Sequence, residues 1–100
     1  MNRDVEVSTT DHHEAALFQY SGLACVACRI EDGNAVWVFR APQFDVEAVR
    51  DEYKSSQTAV YLKEWIRSYA IVLSFRNKAR QSGLEGMWRS DRYKEPLVRA

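Results

Sequence analysis

The chain has 100 residues, of which 46% are hydrophobic and 28% charged, with four glycines and two prolines. These values are typical of one globular domain and leave little room for linkers, so we expect a single domain over residues 1–100. No apolar run is long enough to span a membrane, and the N-terminus lacks the apolar segment of a signal peptide. The sequence therefore predicts a cytoplasmic location.

Charge is distributed unevenly along the chain although the formal net charge is zero. Residues 1–66 contain six Lys or Arg against eleven Asp or Glu, a net charge of −5. Residues 67–100 contain eight against three, a net charge of +5. This asymmetry indicates either an acidic layer packed on a basic one or a basic surface that contacts a polyanion.

The first 22 residues predict a strand and then a helix. Polar and apolar residues alternate over 3–8, which is typical of an edge strand or an extended arm. Asp11 and Glu14 have the spacing of a capping box, so we expect a helix over 12–20. Gly22 is positioned to end that helix.

Residues 23–41 contain the strongest hairpin signal in the chain. Two runs rich in β-favouring residues, 23–31 and 35–41, flank a turn at Asp32-Gly33-Asn34. Simple alternation predicts an inward face made of Val26, Cys28, Ile30, Trp37 and Phe39. The opposite face carries Val36 and Val38, which are apolar and so make pairing with another subunit an option.

Two helices are predicted after Pro42, which ends the second hairpin strand. Asp45 is positioned to cap a helix over 46–54. The longest helical pattern covers 58–82, with Thr58 as its cap and Gly83 as its terminating residue. Its three- and four-residue spacing predicts one buried face, which consists of Leu62, Trp65, Ile66, Tyr69, Val72, Leu73, Phe75 and Arg76.

These elements predict an α+β fold. An antiparallel β-hairpin, with three strands if the N-terminal strand joins it, packs against a short helix and a long C-terminal helix. Residues 84–100 either wrap the core or form an extended or mobile C-terminal tail.

The cysteine pair and the histidine pair are the residues best suited to catalysis or metal binding. Cys25 and Cys28 have the spacing of redox and zinc sites, but a second pair is absent, and residues three apart on a strand face opposite ways unless the strand bulges. His12 and His13 lie at the start of a predicted helix, and helix capping already accounts for the neighbouring Asp11 and Glu14. The sequence contains no phosphate loop, nucleophile elbow or HExxH motif, so we expect no enzyme, no cofactor and no metal.

The basic second half contains the residues with the clearest binding potential. Its cations are able to contact phosphates, and its aromatic residues are able to stack on bases. The predicted nucleic-acid or partner contacts are Lys63, Arg67, Lys78, Arg80, Trp88, Arg89, Arg92, Tyr93 and Lys94.

Several positions resemble a small bacterial and phage family known only as a domain of unknown function. They are Gly22 after the first helix, the strand end from Val36 to Phe39, Tyr53 closing the second helix, and Arg76 or Lys78 late in the third. The resemblance covers residues 14–83 and implies an α-β-β-α-α order and a mobile-element origin. It implies no catalytic residues.

The sequence thus favours a small non-enzymatic accessory protein that forms a homodimer or binds a protein partner through the hairpin or the long helix. The alternative is a nucleic-acid-binding accessory factor that uses the basic half. A third hypothesis is an enzyme or metal site centred on cysteine or histidine.

Overall fold

The computed structural model describes residues 4–55, 58–82 and 86–90 of the chain. Its elements, in chain order, are β1 (Asp4–Thr9), α1 (His12–Tyr20), β2 (Ala24–Glu31), β3 (Asn34–Pro42), α2 (Gln43–Ser55), α3 (Leu62–Gln81) and β4 (Met87–Arg89). The predicted α+β class and the packing of the long helix α3 on the sheet are confirmed.

The four strands form one antiparallel sheet in the order β1-β3-β2-β4. The N-terminal strand joins the hairpin as its third strand, next to β3. The fourth strand, β4, was not predicted and comes from the stretch that we assigned to a tail. The remainder of that stretch, 91–100, lies outside the described residues, as does Gly83.

The hairpin between β2 and β3 has a tighter turn than the predicted three-residue loop. Glu31 pairs with Asn34, so only two residues connect the strands. Asp32 and Gly33 both have positive φ, 52° and 80°, as a type I′ turn requires. The twist of this turn matches that of the strands it joins.

All three helices lie on one face of the sheet, where they share the main core. Residues from every helix and from the three longer strands belong to this cluster, and Trp37, Phe18 and Phe39 are its largest fully buried side chains. The rings of Phe18 and Phe39 pack with their centroids 5.1 Å apart. The inward orientation predicted for Trp37 and Phe39 is therefore confirmed.

A bulge in β2 changes the faces predicted for that strand. The register with β3 shifts between Cys25 and Ala27, so the alternation of side chains is interrupted there. Val26 consequently packs with Ala27 and Val38 in a second cluster, not with Cys28 in the main core. The prediction that Val26 faces the helices is wrong because simple alternation cannot anticipate an extra residue.

α1 has the predicted bounds and the predicted N-cap, but only half of the predicted capping box, because the N–H of Asp11 donates to Thr9 Oγ1 and not to Glu14. Asp11 Oδ1 accepts hydrogen bonds from the backbone N–H groups of His13 and Glu14, at 2.9 and 3.3 Å. Gly22, with φ +86°, follows the C-cap, and the N–H of Leu23 donates to the carbonyl of Phe18 across the helix end. Glu14 Oε1 lies 3.6 Å from Arg50 Nη2, and this ion pair links α1 to α2.

α2 and α3 each begin at a residue different from the predicted one. α2 begins at Gln43, directly after the strand, so Asp45 lies within its first turn, where a carboxylate suits the helix dipole. α3 begins at Leu62, with Tyr61 as its N-cap. Thr58 is not the cap, because its hydroxyl donates instead to the carbonyl of Glu52.

Candidate interaction surface

The buried side of α3 agrees with the predicted one only in part. Val72 is buried, and Trp65, Tyr69 and Phe75 pack partly buried against the core, as predicted. The other buried residues of the helix are Ser68 and Ala79, which were not predicted. These small side chains let the helix backbone approach the sheet closely. The indole Nε1 of Trp37 donates to the carbonyl of Val72 at 2.8 Å, a buried contact between strand and helix.

The first turns of α3 therefore leave several large apolar side chains in solvent. Tyr61 is 77% exposed, Leu62 69%, Ile66 57% and Val60 37%. Leu62 and Ile66 were predicted to be buried, and that prediction is wrong. They lie beside the buried stripe and not within it, since steps of 100° per residue place Leu62 roughly 80° and Ile66 roughly 120° around the helix from Val72. We call Val60, Tyr61, Leu62 and Ile66 the α3 apolar patch.

The patch continues along the helix as a second apolar stripe. Ala70 is exposed and Leu73 half-buried, and both follow Leu62 and Ile66 at positions that fall on one helix face. The helical pattern in the sequence includes residues of both apolar faces of α3, but we assigned all of them to one buried face. Exposed apolar patches of this kind mark interaction sites more often than isolated surface residues do.

The backbone of Tyr61 makes two hydrogen bonds at the start of the patch. Its N–H donates to the hydroxyl of Tyr20 at 3.0 Å, and its carbonyl accepts from the N–H of Trp65 at 2.9 Å. Its side chain makes no capping hydrogen bond, although it occupies the N-cap position. Ser, Thr, Asp and Asn are preferred there because their side chains can accept such a bond.

A cleft of about 240 Å³ opens beside the patch. It lies between α1, the end of α2 and the start of α3, and its wall is mostly apolar. The lining residues are Leu17, Glu52, Tyr53, Thr58, Val60 and Trp65. Val60 belongs to both the patch and the cleft, so the two form one continuous surface.

Charges of both signs lie near this surface. At the end of α2, Glu52 lines the cleft and Lys54 is exposed two residues later. In the first turns of α3, Lys63, Glu64 and Arg67 are all exposed. The apolar surface is therefore flanked by mixed charges and not by one acidic and one basic border.

The predicted basic contacts do not form one patch. Lys63, Arg67 and Lys78 fall within one sector of α3 and span about 22 Å along it. Arg80 projects from a different side of that helix, because thirteen residues separate it from Arg67 and rotate it by about 140°. Arg89 pairs with Ala27 and lies on the opposite face of the sheet. Arg92, Tyr93 and Lys94 lie outside the described residues.

Trp88 is half-buried, and side chains of α3 contact its ring. Its ring stacks on that of Phe75, with centroids 4.2 Å apart and an angle of 11° between the planes. The amino group of Lys78 lies 5.6 Å from the Trp88 ring centroid, a cation–π contact. A base that stacked on Trp88 would have to compete with these contacts.

The two cysteines share the helix-side face because the β2 bulge lies between them, yet their environment keeps the thiols protonated. Burial raises the pKa of Cys25 well above its ordinary range. Burial also raises the pKa of Cys28 to about 12, against the opposing effect of nearby Arg76. Both are free thiols. Since the thiolate is the reactive form, neither environment favours nucleophilic or metal chemistry.

Metal ligands and membrane-spanning helices are two further features that bear on function. Among residues 4–55, 58–82 and 86–90, no group of three or more His, Cys, Asp or Glu side chains is arranged to hold a metal ion. None of the helices in that part of the chain is both long and apolar enough to cross a membrane.

Comparisons with family models, with curated proteins and with solved structures found no match to the chain. The resemblance to a bacterial and phage family therefore stays a prediction.

Proposed function

We propose that the protein is a small non-enzymatic accessory protein that forms a homodimer through the α3 apolar patch. The observation that carries this proposal is the exposure of Leu62 and Ile66 on a helix whose other side is packed into the core. Covering these side chains removes apolar surface from water, at about 25 cal/mol for each Å². A second copy of the chain is the occupant that we favour.

A second copy brings the same apolar patch to the contact. In a two-fold dimer each patch covers the other, so both patches are removed from water together. The charges beside the patch are of both signs, since Glu64 lies between Lys63 and Arg67 on α3. We therefore expect the apolar contact to supply most of the binding free energy.

The hairpin is a less favourable surface for self-association than α3. Val36 and Val38, which the sequence made available to a partner, are already buried within the chain. Their burial leaves the long helix as the surface that best supports self-association.

The experiment that tests the proposal is sedimentation equilibrium of the wild type and of Ile66→Glu. We expect a dimer for the wild type and a monomer for the variant, because a buried carboxylate without a partner opposes association. Phe44→Glu is the matched control, since Phe44 is also an exposed apolar residue, 70% accessible, but lies on α2 away from the patch. A control variant that dissociated equally would place the interface elsewhere.

Nucleic-acid binding is a second candidate, favoured by the alignment of Lys63, Arg67 and Lys78 along one side of α3. This function predicts binding that falls steeply with salt, because each phosphate contact releases counterions. Lys63→Ala and Arg67→Ala would each weaken such binding uniformly across sequences. An origin in a mobile element, which the family resemblance implies, is compatible with both the homodimeric accessory protein and the nucleic-acid-binding protein.

A further inference from the structure

We infer that residues 91–100, which follow β4, pack across the sheet face opposite the helices and cover its apolar centre. We call this face the outer sheet face. Its central residues are Val26, Ala27, Val36 and Val38. Three observations carry the inference: the burial of these residues, the small size of their neighbours, and the place where the described chain ends.

The centre of the outer sheet face is buried although α1, α2 and α3 all lie on the other side. Val26 is 1% exposed, Ala27 0%, Val36 6% and Val38 3%. None of these four residues belongs to the main core that the helices share with the sheet. A sheet face without a covering layer stays in contact with water, so a further part of the chain has to lie over this one.

The cross-strand neighbours of Val38 are too small to cover it. On the outer sheet face Val38 lies between Ser8 of β1 and Ala27 of β2. Side chains stand roughly perpendicular to a sheet, and both neighbours are shorter than valine. The burial of Val38 therefore requires atoms that lie above the sheet.

Two arginines on this face are directed to carboxylates at its border. Arg40 Nη2 donates to Glu6, its direct cross-strand partner on β1. Arg29 Nε donates to Glu31 at 2.7 Å, near the hairpin turn. These hydrogen bonds hold both guanidinium groups away from the centre, so neither group accounts for the burial of the valines.

Among the residues outside the described ranges, 91–100 are the ones that can reach the centre. Residues 56–57 and 83–85 join α3 to its two neighbouring elements and are too short to pass over the outer sheet face and return. Residues 1–3 can extend about 11 Å from the start of β1, whereas Val38 pairs with a residue about 14 Å along that strand.

Residues 91–100 begin beside the buried centre. The N–H of Ser90 donates to the carbonyl of Val26 at 2.9 Å, so the segment starts next to a residue that needs cover. Two strand spacings, about 10 Å, separate β4 from β3, and ten residues can extend roughly 33 Å. The apolar residues of the segment are Tyr93, Pro96, Leu97 and Val98. The segment thus has both the length and the apolar side chains to cover the outer sheet face.

Nuclear magnetic resonance of the wild-type protein tests the inference without any substitution. We expect nuclear Overhauser effects between the methyl groups of Leu97 or Val98 and those of Val26, Val36 or Val38. A mixture of labelled and unlabelled chains separates contacts within one chain from contacts between copies. The inference is overturned if methyl groups of residues 91–100 show no contact with these valines, or if such contacts occur only between copies.

Thiol accessibility tests the same contact in the full-length chain. In Val38→Cys, the added thiol should react slowly with DTNB. Adding Leu97→Ser and Val98→Ser should raise its rate by about tenfold or more, because each buried aliphatic side chain contributes enough to shift a local opening equilibrium by that factor.

The native Cys25 and Cys28 are the internal control for this experiment. Both are buried in the main core, on the helix side, so their reaction rates should stay the same when the segment is altered. Unchanged reactivity of the thiol at position 38 would contradict the inference, as would equal acceleration of all three thiols. Neither experiment depends on dimerisation, so a monomeric wild type would count against the proposed function alone.

Discussion

At the scale of single residues, a buried hydrogen bond helps to set which side of α3 faces the sheet. The Trp37 indole donates to the Val72 carbonyl, and both residues are almost fully buried. A helix rotated enough to bury Leu62 and Ile66 would move this carbonyl away from the indole. The bond joins two residues 35 positions apart and leaves no trace in the local sequence pattern.

Trp37→Phe should therefore destabilise the fold. The variant loses the donor to Val72 and part of the buried ring volume, and we expect a loss of about 2–4 kcal/mol in the free energy of unfolding. Urea titration followed by far-UV circular dichroism measures the change. Trp88→Phe is the control, and a loss as large as that for Trp37→Phe would show that the hydrogen bond is unimportant.

The contact between Asp11 and Tyr53 predicts how stability depends on pH. Burial alone would raise the pKa of Asp11, but hydrogen bonds from the Tyr53 hydroxyl and from the N–H groups of His13 and Glu14 outweigh it and hold this pKa below 3.8. The same bond to Asp11 raises the pKa of Tyr53 to about 12. A carboxyl with a lowered folded pKa stabilises the fold above its unfolded pKa, and a phenol with a raised one does so below its unfolded pKa.

The stabilisation of the fold by the contact between Asp11 and Tyr53 should be lost at both ends of the pH range. It declines as pH falls through the lowered pKa of Asp11, below about 3.8, and as pH rises from about 10 toward 12 through the raised pKa of Tyr53. Tyr53→Phe should flatten both limbs of a plot of urea midpoint against pH. Tyr69→Phe should leave both limbs as they are; an unchanged profile in Tyr53→Phe would contradict the assignment.

Tyr61 occupies an N-cap without capping the helix, so its replacement should affect folding and association in opposite directions. Tyr61→Ser should raise the free energy of unfolding of the monomer by about 0.5–2 kcal/mol, because serine can accept a hydrogen bond from the first turn. Thermal unfolding at a concentration below the dimer dissociation constant measures this effect. A destabilised monomer would mean that Tyr61 packs within its own chain.

At the scale of elements, α3 has two apolar sides with different tasks. The inner side uses small residues, Ser68 and Ala79, with Val72 between them, and packs on the sheet and α1. The outer side uses Leu62 and Ile66, which have no contact of that kind. Helical periodicity predicts that both sets are apolar, but it does not tell which set meets the core, because that depends on how closely the helix can approach its neighbours.

A pair of matched substitutions distinguishes the two sides. Ala79→Leu should cost about 1–3 kcal/mol of unfolding free energy, because Ala79 is fully buried and a larger side chain overpacks the core. Ala70→Leu, in the same helix but on the exposed side, should change stability by no more than about 0.5 kcal/mol. Chemical denaturation compares the two, and equal losses would contradict the assignment of the faces.

The strands show where local patterns suffice and where they do not. The alternation within β1, the residues of the Asp32-Gly33 turn and the break at Pro42 are local signals, and each predicted its feature. The β2 bulge and the β4 strand are not local. The first changes a register and the second depends on pairing with a strand about 60 residues earlier.

At the scale of the whole molecule, the apolar surface combines parts of the chain that are far apart in sequence. The cleft is built from residues of α1, α2, α3 and the segment before α3, so reading motifs along the sequence could not find it or the adjoining α3 apolar patch. The charge asymmetry between the two halves of the sequence does not map onto this surface, because exposed charges of both signs occur at the end of α2 and at the start of α3.

The dimer should depend only weakly on salt. Exposed ion pairs are worth about 0.2–1 kcal/mol each, so we expect its dissociation constant to rise by less than about tenfold between 0.05 and 0.5 M NaCl. Sedimentation equilibrium at the two salt concentrations measures the change. A much steeper dependence would indicate that charge and not apolar contact drives assembly, and binding to DNA or RNA with that steepness would favour the second candidate.

The most direct test of the central claim is the concentration dependence of the molecular mass in sedimentation equilibrium, with wild type, Ile66→Glu and Phe44→Glu measured side by side. The account predicts a dimer for the wild type and for Phe44→Glu and a monomer for Ile66→Glu. A wild type that remains monomeric throughout, or an Ile66→Glu variant that dimerises as tightly as the wild type, would contradict it.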